Sequence, residues 1–121
     1  MASNQIFVVG KQFSAEPSGR YYADGEASGE ALREQWLKPL LTSQETLALD
    51  LVSHLDVGYG ASFLMEAFGG LVKYGHFTAT ELLHKLRFVG AEDDADFYQK
   101  KVVQYINEAA YNSAKYTPSA R

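Results

Sequence analysis

Residues 58–69 read Gly-Tyr-Gly-Ala-Ser-Phe-Leu-Met-Glu-Ala-Phe-Gly, two glycines and a serine ahead of an apolar run. Such a turn can present a nucleophile, cradle a phosphate or simply start a helix. A nucleophile elbow needs G-x-S-x-G, because the second glycine permits the sharp turn. Gly60-Ala61-Ser62-Phe63-Leu64 lacks it. A dinucleotide loop needs a third glycine and must follow directly on a strand. Gly58-Tyr59-Gly60-Ala61-Ser62-Phe63 has neither property. What remains is Ser62 at the start of a helix, where free amides and the helix dipole favour an anion. Two readings fit it: a plain helix-start residue, and an acceptor for a phosphate.

The other reactive side chains are dispersed. His54, His76 and His84 are far apart, and no H-E-x-x-H pair occurs. Glu81-x-x-His84 matches half of a di-iron carboxylate pattern, but the other half is not evident. There is no cysteine, which excludes disulfides, thiol nucleophiles and thiolate metal sites. No metal, cofactor or catalytic group is therefore expected. Asp50 ends a strand and Asp56 follows in its loop, at the strand edge where ligands gather in open α/β sheets. Ordinary turn chemistry is the preferred reading of both. Arg20 and Asp24 lie in a glycine-rich stretch, Pro17–Glu30. They either pair to pin that loop, or Arg20 offers its fixed fork to a carboxylate or phosphate.

The elements that must position these residues alternate between strand and helix. Ile6–Val9 is a short apolar strand, and residues 10–27 form a long irregular segment with a short strand at Arg20–Ala23. Ser28 caps a helix whose apolar face is Leu32, Trp36, Leu37, Leu40 and Leu41, with Pro39 kinking or ending it. Leu47, Leu49 and Leu51 alternate as a half-buried strand, and Phe63, Leu64, Ala67, Phe68, Leu71 and Val72 form the next helix. Gly69-Gly70 inside that helix implies a close neighbour, and Gly75 caps its end. Thr78-x-x-Glu81 is a capping box for a short helix through Lys85. Leu86–Val89 is a strand, Glu92-Asp93-Asp94 suits a helix start, and a last helix runs over residues 95–114. This order predicts a small α/β domain with helices packed on a sheet. The single domain is expected over residues 1–115, with residues 116–121 a frayed tail.

At 121 residues, with 46% hydrophobic and 21% charged residues, the composition is that of a globular protein. A net charge of −4 with scattered Lys and Arg argues against nucleic-acid binding. No stretch has the length of a signal-peptide core or a membrane span, so a cytoplasmic location without membrane contact is expected.

The pattern Phe13-Ser14, Gly19-Arg20-Tyr21, Asp24-Gly25, Ser28-Gly29-Glu30, Leu32-Arg33 and Leu37-Lys38-Pro39-Leu40, continued by Leu49-Asp50-Leu51 and Gly58–Leu71, resembles the STAS-like domain family of unknown function. The family occurs in bacteria and their mobile elements, and the resemblance covers about residues 5–90. It implies a small mixed sheet with helices on one side, similar in fold to anti-sigma-factor antagonists. In regulatory members of that wider group, a serine or threonine at a helix start is phosphorylated by a histidine-kinase-like ATPase, and this switches partner binding. Ser62 stands at the matching place, although Tyr59-Gly60-Ala61 precedes it where those loops carry an aspartate. The resemblance thus implies a regulatory protein-binding module that binds another protein through Gly58, Tyr59, Gly60, Ser62 and Phe63 with the Arg20–Asp24 loop. A small anion- or nucleotide-binding module, and a mobile-element accessory protein inhibiting a host complex, are the alternatives.

Overall fold

The computed structural model describes residues 5–90 and 92–120. The ends of the expected domain and tail, residues 1–4 and 121, lie outside the described residues, as does the side chain of Glu92. The elements are β1 (Ile6–Val8), α1 (residues 29–43), β2 (Leu47–Asp50), α2 (residues 61–73), α3 (Ala79–Lys85), β3 (Leu86–Val89) and α4 (Glu92–Glu108). The α/β class is as expected. The three strands lie in the order β1-β2-β3 and all pair in parallel, where the family resemblance implies a mixed sheet. Each strand returns through a helical crossover, which is the connection that parallel neighbours require.

Register puts Phe7 beside Leu49 and Phe88, and Leu47 beside Leu86. Because side chains alternate along a strand, these residues share one face. Phe7, Leu47, Leu49 and Leu86 are buried there, with Trp36 of α1 stacked on Phe7 at 5.2 Å. The opposite face carries Ile6, Ala48 and Arg87 in one row. Ile6 is 46% exposed, so helices cover the first face and leave much of the second open.

The segment after β1 is more ordered than its composition suggests. Val9–Phe13 form a wide π-helical turn, closed by the Ser14 amide on the Val9 carbonyl at 2.9 Å. The strand expected at Arg20–Ala23 is instead a 3-10 turn over Tyr22–Asp24. Its cause is Asp24, whose Oδ2 takes the amides of Arg20 at 3.0 Å and Tyr21 at 2.9 Å. Those donors are then lost to any ladder.

Helices α1 and α2 each contain a π-helical turn, at Arg33–Leu37 and Met65–Gly69. In α1 the Lys38 amide reaches back five residues to the Arg33 carbonyl. Pro39 follows directly, so its missing N–H falls where the ladder is already irregular, and the helix continues to Ser43. The two helices touch at small residues. A Cβ on Gly29 would stand 2.5 Å from the Phe63 carbonyl and 3.2 Å from the Ala67 amide. The neighbours implied by Gly69-Gly70 are the Tyr105 backbone of α4 and the Arg33 side chain of α1.

The capping box forms as expected, with Glu81 N on Thr78 Oγ1 at 3.1 Å and Thr78 N on Glu81 Oε1 at 3.0 Å. Thr78→Ala is expected to lower unfolding stability by about 1 kcal/mol, read from the urea midpoint at constant slope. Gly75 ends α2 with φ +79, the left-handed geometry of a C-terminal glycine. Helix α4 stops at Glu108, well short of the expected residue 114. The chain beyond it donates the amides of Asn112 and Ala114 to the Val72 and Lys73 carbonyls at the end of α2, and these bonds replace further helix. In the segment expected to be a frayed tail, Tyr116 and Ser119 bond to Glu30 of α1. Among the described residues, no helix is long and apolar enough to cross a membrane.

Candidate functional site

The loop between β2 and α2 is braced from inside. Asp50, at the strand end, accepts the amides of Val52 and Ser53 at 2.9 Å each, and the Ser53 hydroxyl at 2.6 Å. Burial pushes this carboxyl up, but the bonds from Ser53 and Val52 outweigh it and hold Asp50 below its ordinary value. Asp50 is therefore committed to turn chemistry. Tyr59 donates to the Leu51 carbonyl at 2.7 Å, stacks on Phe63 at 5.5 Å and meets the edge of Tyr98 at 4.9 Å. Burial, with Tyr98 and Asp50 nearby, pushes its phenol well above the usual range. Gly58 lies under the Tyr98 hydroxyl, which a Cβ there would meet at 2.8 Å.

Gly60 is the N-cap of α2 and provides no side-chain cap. Ser62 is the second helical residue, exposed, and its hydroxyl makes no hydrogen bond among the described residues. The next residue is different. Phe63 is 1% exposed and belongs to the core, so it positions the helix start and offers no partner surface. Met65, one turn beyond Ser62, is 40% exposed.

Arg20 reaches this same turn. Its Nη2 lies 3.9 Å from Met65 Sδ, and its guanidinium lies over the Tyr21 ring at 5.9 Å. Asp24 does not pair with that guanidinium; it takes the Tyr21 and Arg20 amides, and these bonds keep its carboxyl below the ordinary value. A cleft of about 220 Å³ opens beside Arg20, lined also by Met65, Glu66, Lys73, Tyr105 and Glu108. The structure thus brings Arg20 to Met65, one turn beyond Ser62 on α2, and sets Tyr59 and Phe63 inward as supports.

A second cluster was not anticipated. Arg33 is completely buried and donates from Nη1 to the Glu66 carbonyl at 2.7 Å and to Glu66 Oε2 at 2.6 Å. Its Nε donates to Glu34 Oε2 at 2.7 Å, which also meets His76 Nε2 at 3.0 Å. The guanidinium lies 4.7 Å from the Tyr74 ring and 4.9 Å from the Tyr116 ring, and Nη2 has no hydrogen-bond partner among the described residues. Burial works to discharge Arg33, but its bonds to Glu34 and Glu66 outweigh this and raise its pKa. Beside it, the buried Glu30 accepts from Tyr22 N at 3.0 Å, Tyr116 Oη at 2.7 Å, Ser119 N at 3.0 Å and Ser119 Oγ. Burial raises Glu30, and the donors on Ser119, Tyr22 and Tyr116 lower it further than burial lifts it. The readable signal was Arg33 itself, a charge at helical spacing from Gly29 and Leu37 on the packed side of α1. Its acceptors on α2 and the tail leave no such mark.

Of the partial pattern Glu81-x-x-His84, Glu81 is bound into its capping box and His84 is exposed. Among the described residues no group of three or more His, Cys, Asp or Glu is placed to hold a metal ion. A family model described as a STAS-like domain of unknown function (DUF4325) matches residues 28–96, more than half of the chain. The match runs from the cap of α1 into α4 and includes Gly58–Phe63, Arg33 and Glu66. No curated protein and no solved structure matches the chain.

Proposed function

Since the chain belongs to the STAS-like domain family of unknown function, we propose that it is a regulatory protein-binding module, without catalysis of its own, that works in the cytoplasm. Its partner face is the start of α2 with the Arg20 turn, and phosphorylation of Ser62 by a histidine-kinase-like ATPase or another regulator switches it. One observation carries this reading: Ser62 has an exposed, unbonded hydroxyl in the uncapped first turn of α2, and the Arg20 guanidinium lies one turn away at Met65. A phosphate there adds a charge of about −1.5 to −2, which the helix N-terminus and an arginine fork both favour. The cleft between Arg20 and Lys73 would also suit a small anion, but Glu66 and Glu108 line it too and oppose one. The protein-partner reading is therefore preferred.

The test is photo-crosslinking in lysate of the native host. A benzophenone side chain at Met65 is expected to capture a discrete partner, whereas one at Thr42, at the far end of α1, captures none. Ser62→Glu should change the Met65 yield at least threefold, and Ser62→Ala should not respond to kinase treatment. Equal capture at both positions, or equal behaviour of the two Ser62 variants, overturns the reading.

A further inference from the structure

The described residues after α4, 109–120, include no helix or strand, yet they follow a defined path. Asn112 and Ala114 bond to the last carbonyls of α2, and Tyr116 and Ser119 then close over α1. Their two deepest anchors are polar. Tyr116 Oη and both donors of Ser119 converge on one buried carboxylate, Glu30, and the Tyr116 ring lies on the buried Arg33 guanidinium. Tyr116 also packs edge-on against Tyr74 at 5.3 Å.

This is an unexpected way to fasten a segment for good. Buried charges contribute little net stability compared with an apolar seam of the same size, but they select strongly for the groups that satisfy them. They are also reversible: when the segment leaves, water can take up the bonds to Glu30. Moreover, the described residues of the tail do not use the whole site, since none of them gives Arg33 Nη2 a hydrogen-bond acceptor.

We infer that the groove floored by Glu30 and Arg33 and walled by Tyr22, Tyr74 and His76 is a docking site for an extended polypeptide segment, occupied here by the chain's own residues 113–120. The partner it fits carries a tyrosine and, three residues on, a hydroxyl residue with a free backbone amide. A segment that also brings an acceptor to Arg33 Nη2 displaces the tail. Displacement reaches the Arg20 turn, because the Tyr22 amide bonds both Glu30 Oε1 and Ser119 Oγ. The tail is thus a built-in competitor for this groove.

The probe is a fluorescein-labelled peptide of residues 113–120, added to the full-length chain. In the wild type the tethered tail, at an effective concentration of order millimolar, keeps it out. In the full-length double variant Tyr116→Ala/Ser119→Ala, the peptide is expected to bind at least tenfold more tightly than to the wild type. A peptide with alanine at the same two positions should bind neither protein. These substitutions leave the apolar core untouched, and a circular dichroism melt checks the fold. As a second readout on the wild type, the Ser119 amide should exchange hydrogen faster than the amides of α2, through opening of the tail alone. Peptide binding that is no tighter in the double variant overturns the inference, and so does a Ser119 amide that exchanges only with global unfolding. Ser62→Ala leaves both readouts unchanged, so this result and the Ser62 reading stand or fall separately.

Discussion

Arg33→Ala is expected to destabilise the fold by about 3–5 kcal/mol, the range found when one partner of a buried ion pair is removed. The size follows from what stays behind. Glu66 Oε2 would keep only the 3.3 Å bond from Tyr74 Oη, and the Glu66 carbonyl would lose its side-chain donor. Both acceptors sit in the seam between α1 and α2, where Glu66 is only 5% exposed. At this chain length the loss corresponds to a melting point lower by roughly 10–20 °C. Lysine would not substitute, because a point charge cannot bond Glu34 and Glu66 at once through a rigid fork. Arg33→Met combined with Glu66→Met removes both charges and should recover most of the loss. A melting point for Arg33→Ala within a few degrees of wild type would mean that the pair is solvated and the seam is looser than described.

The second large effect is expected at Gly29, where alanine should cost about 2–3 kcal/mol, toward the upper end for overpacking. The obstacle is backbone, since the new methyl group would meet the Phe63 carbonyl at 2.5 Å and the Ala67 amide at 3.2 Å. Neither can move without shifting α2 bodily. Alanine's better helix propensity offsets little at the first position of a helix. Gly60 supplies the contrast: its φ is −79 and nothing lies within 4 Å of a Cβ placed there. Gly60→Ala should change stability by only about 0.5 kcal/mol. Urea unfolding of the two variants side by side checks the pair, and equal midpoints would refute close helix packing at Gly29.

The α/β class, the alternating order and the capping box could be read from local patterns, because each rests on residues within a few positions of one another. The wide turns at Arg33–Leu37 and Met65–Gly69 leave no such mark: with Trp36 four residues after Leu32, and Ala67 four after Phe63, each apolar face keeps ordinary helical spacing. Phe63 was readable both as part of the apolar face with Ala67 and as a partner contact, and its burial keeps the first role and removes the second. Three things were out of reach. Asp24 could be seen near Arg20, yet its preference for the backbone amides over the guanidinium depends on a turn that forms only in three dimensions. Arg33 and Glu66 are 33 residues apart and bear no local sign of each other. The tail, rich in small polar residues, looks frayed because everything that holds it belongs to α1 and α2.

The sheet also says something about how the molecule is assembled. It contains no hairpin: Ile6 pairs with Ala48, and Ala48 with Arg87. Every strand pair therefore closes a loop of about forty residues before any ladder bond repays that closure. Topologies dominated by such distant pairings reach the native state in about milliseconds or longer, not microseconds. No two strands can meet early and act as a seed. The helices, whose bonds are all local, can form before any strand pair closes.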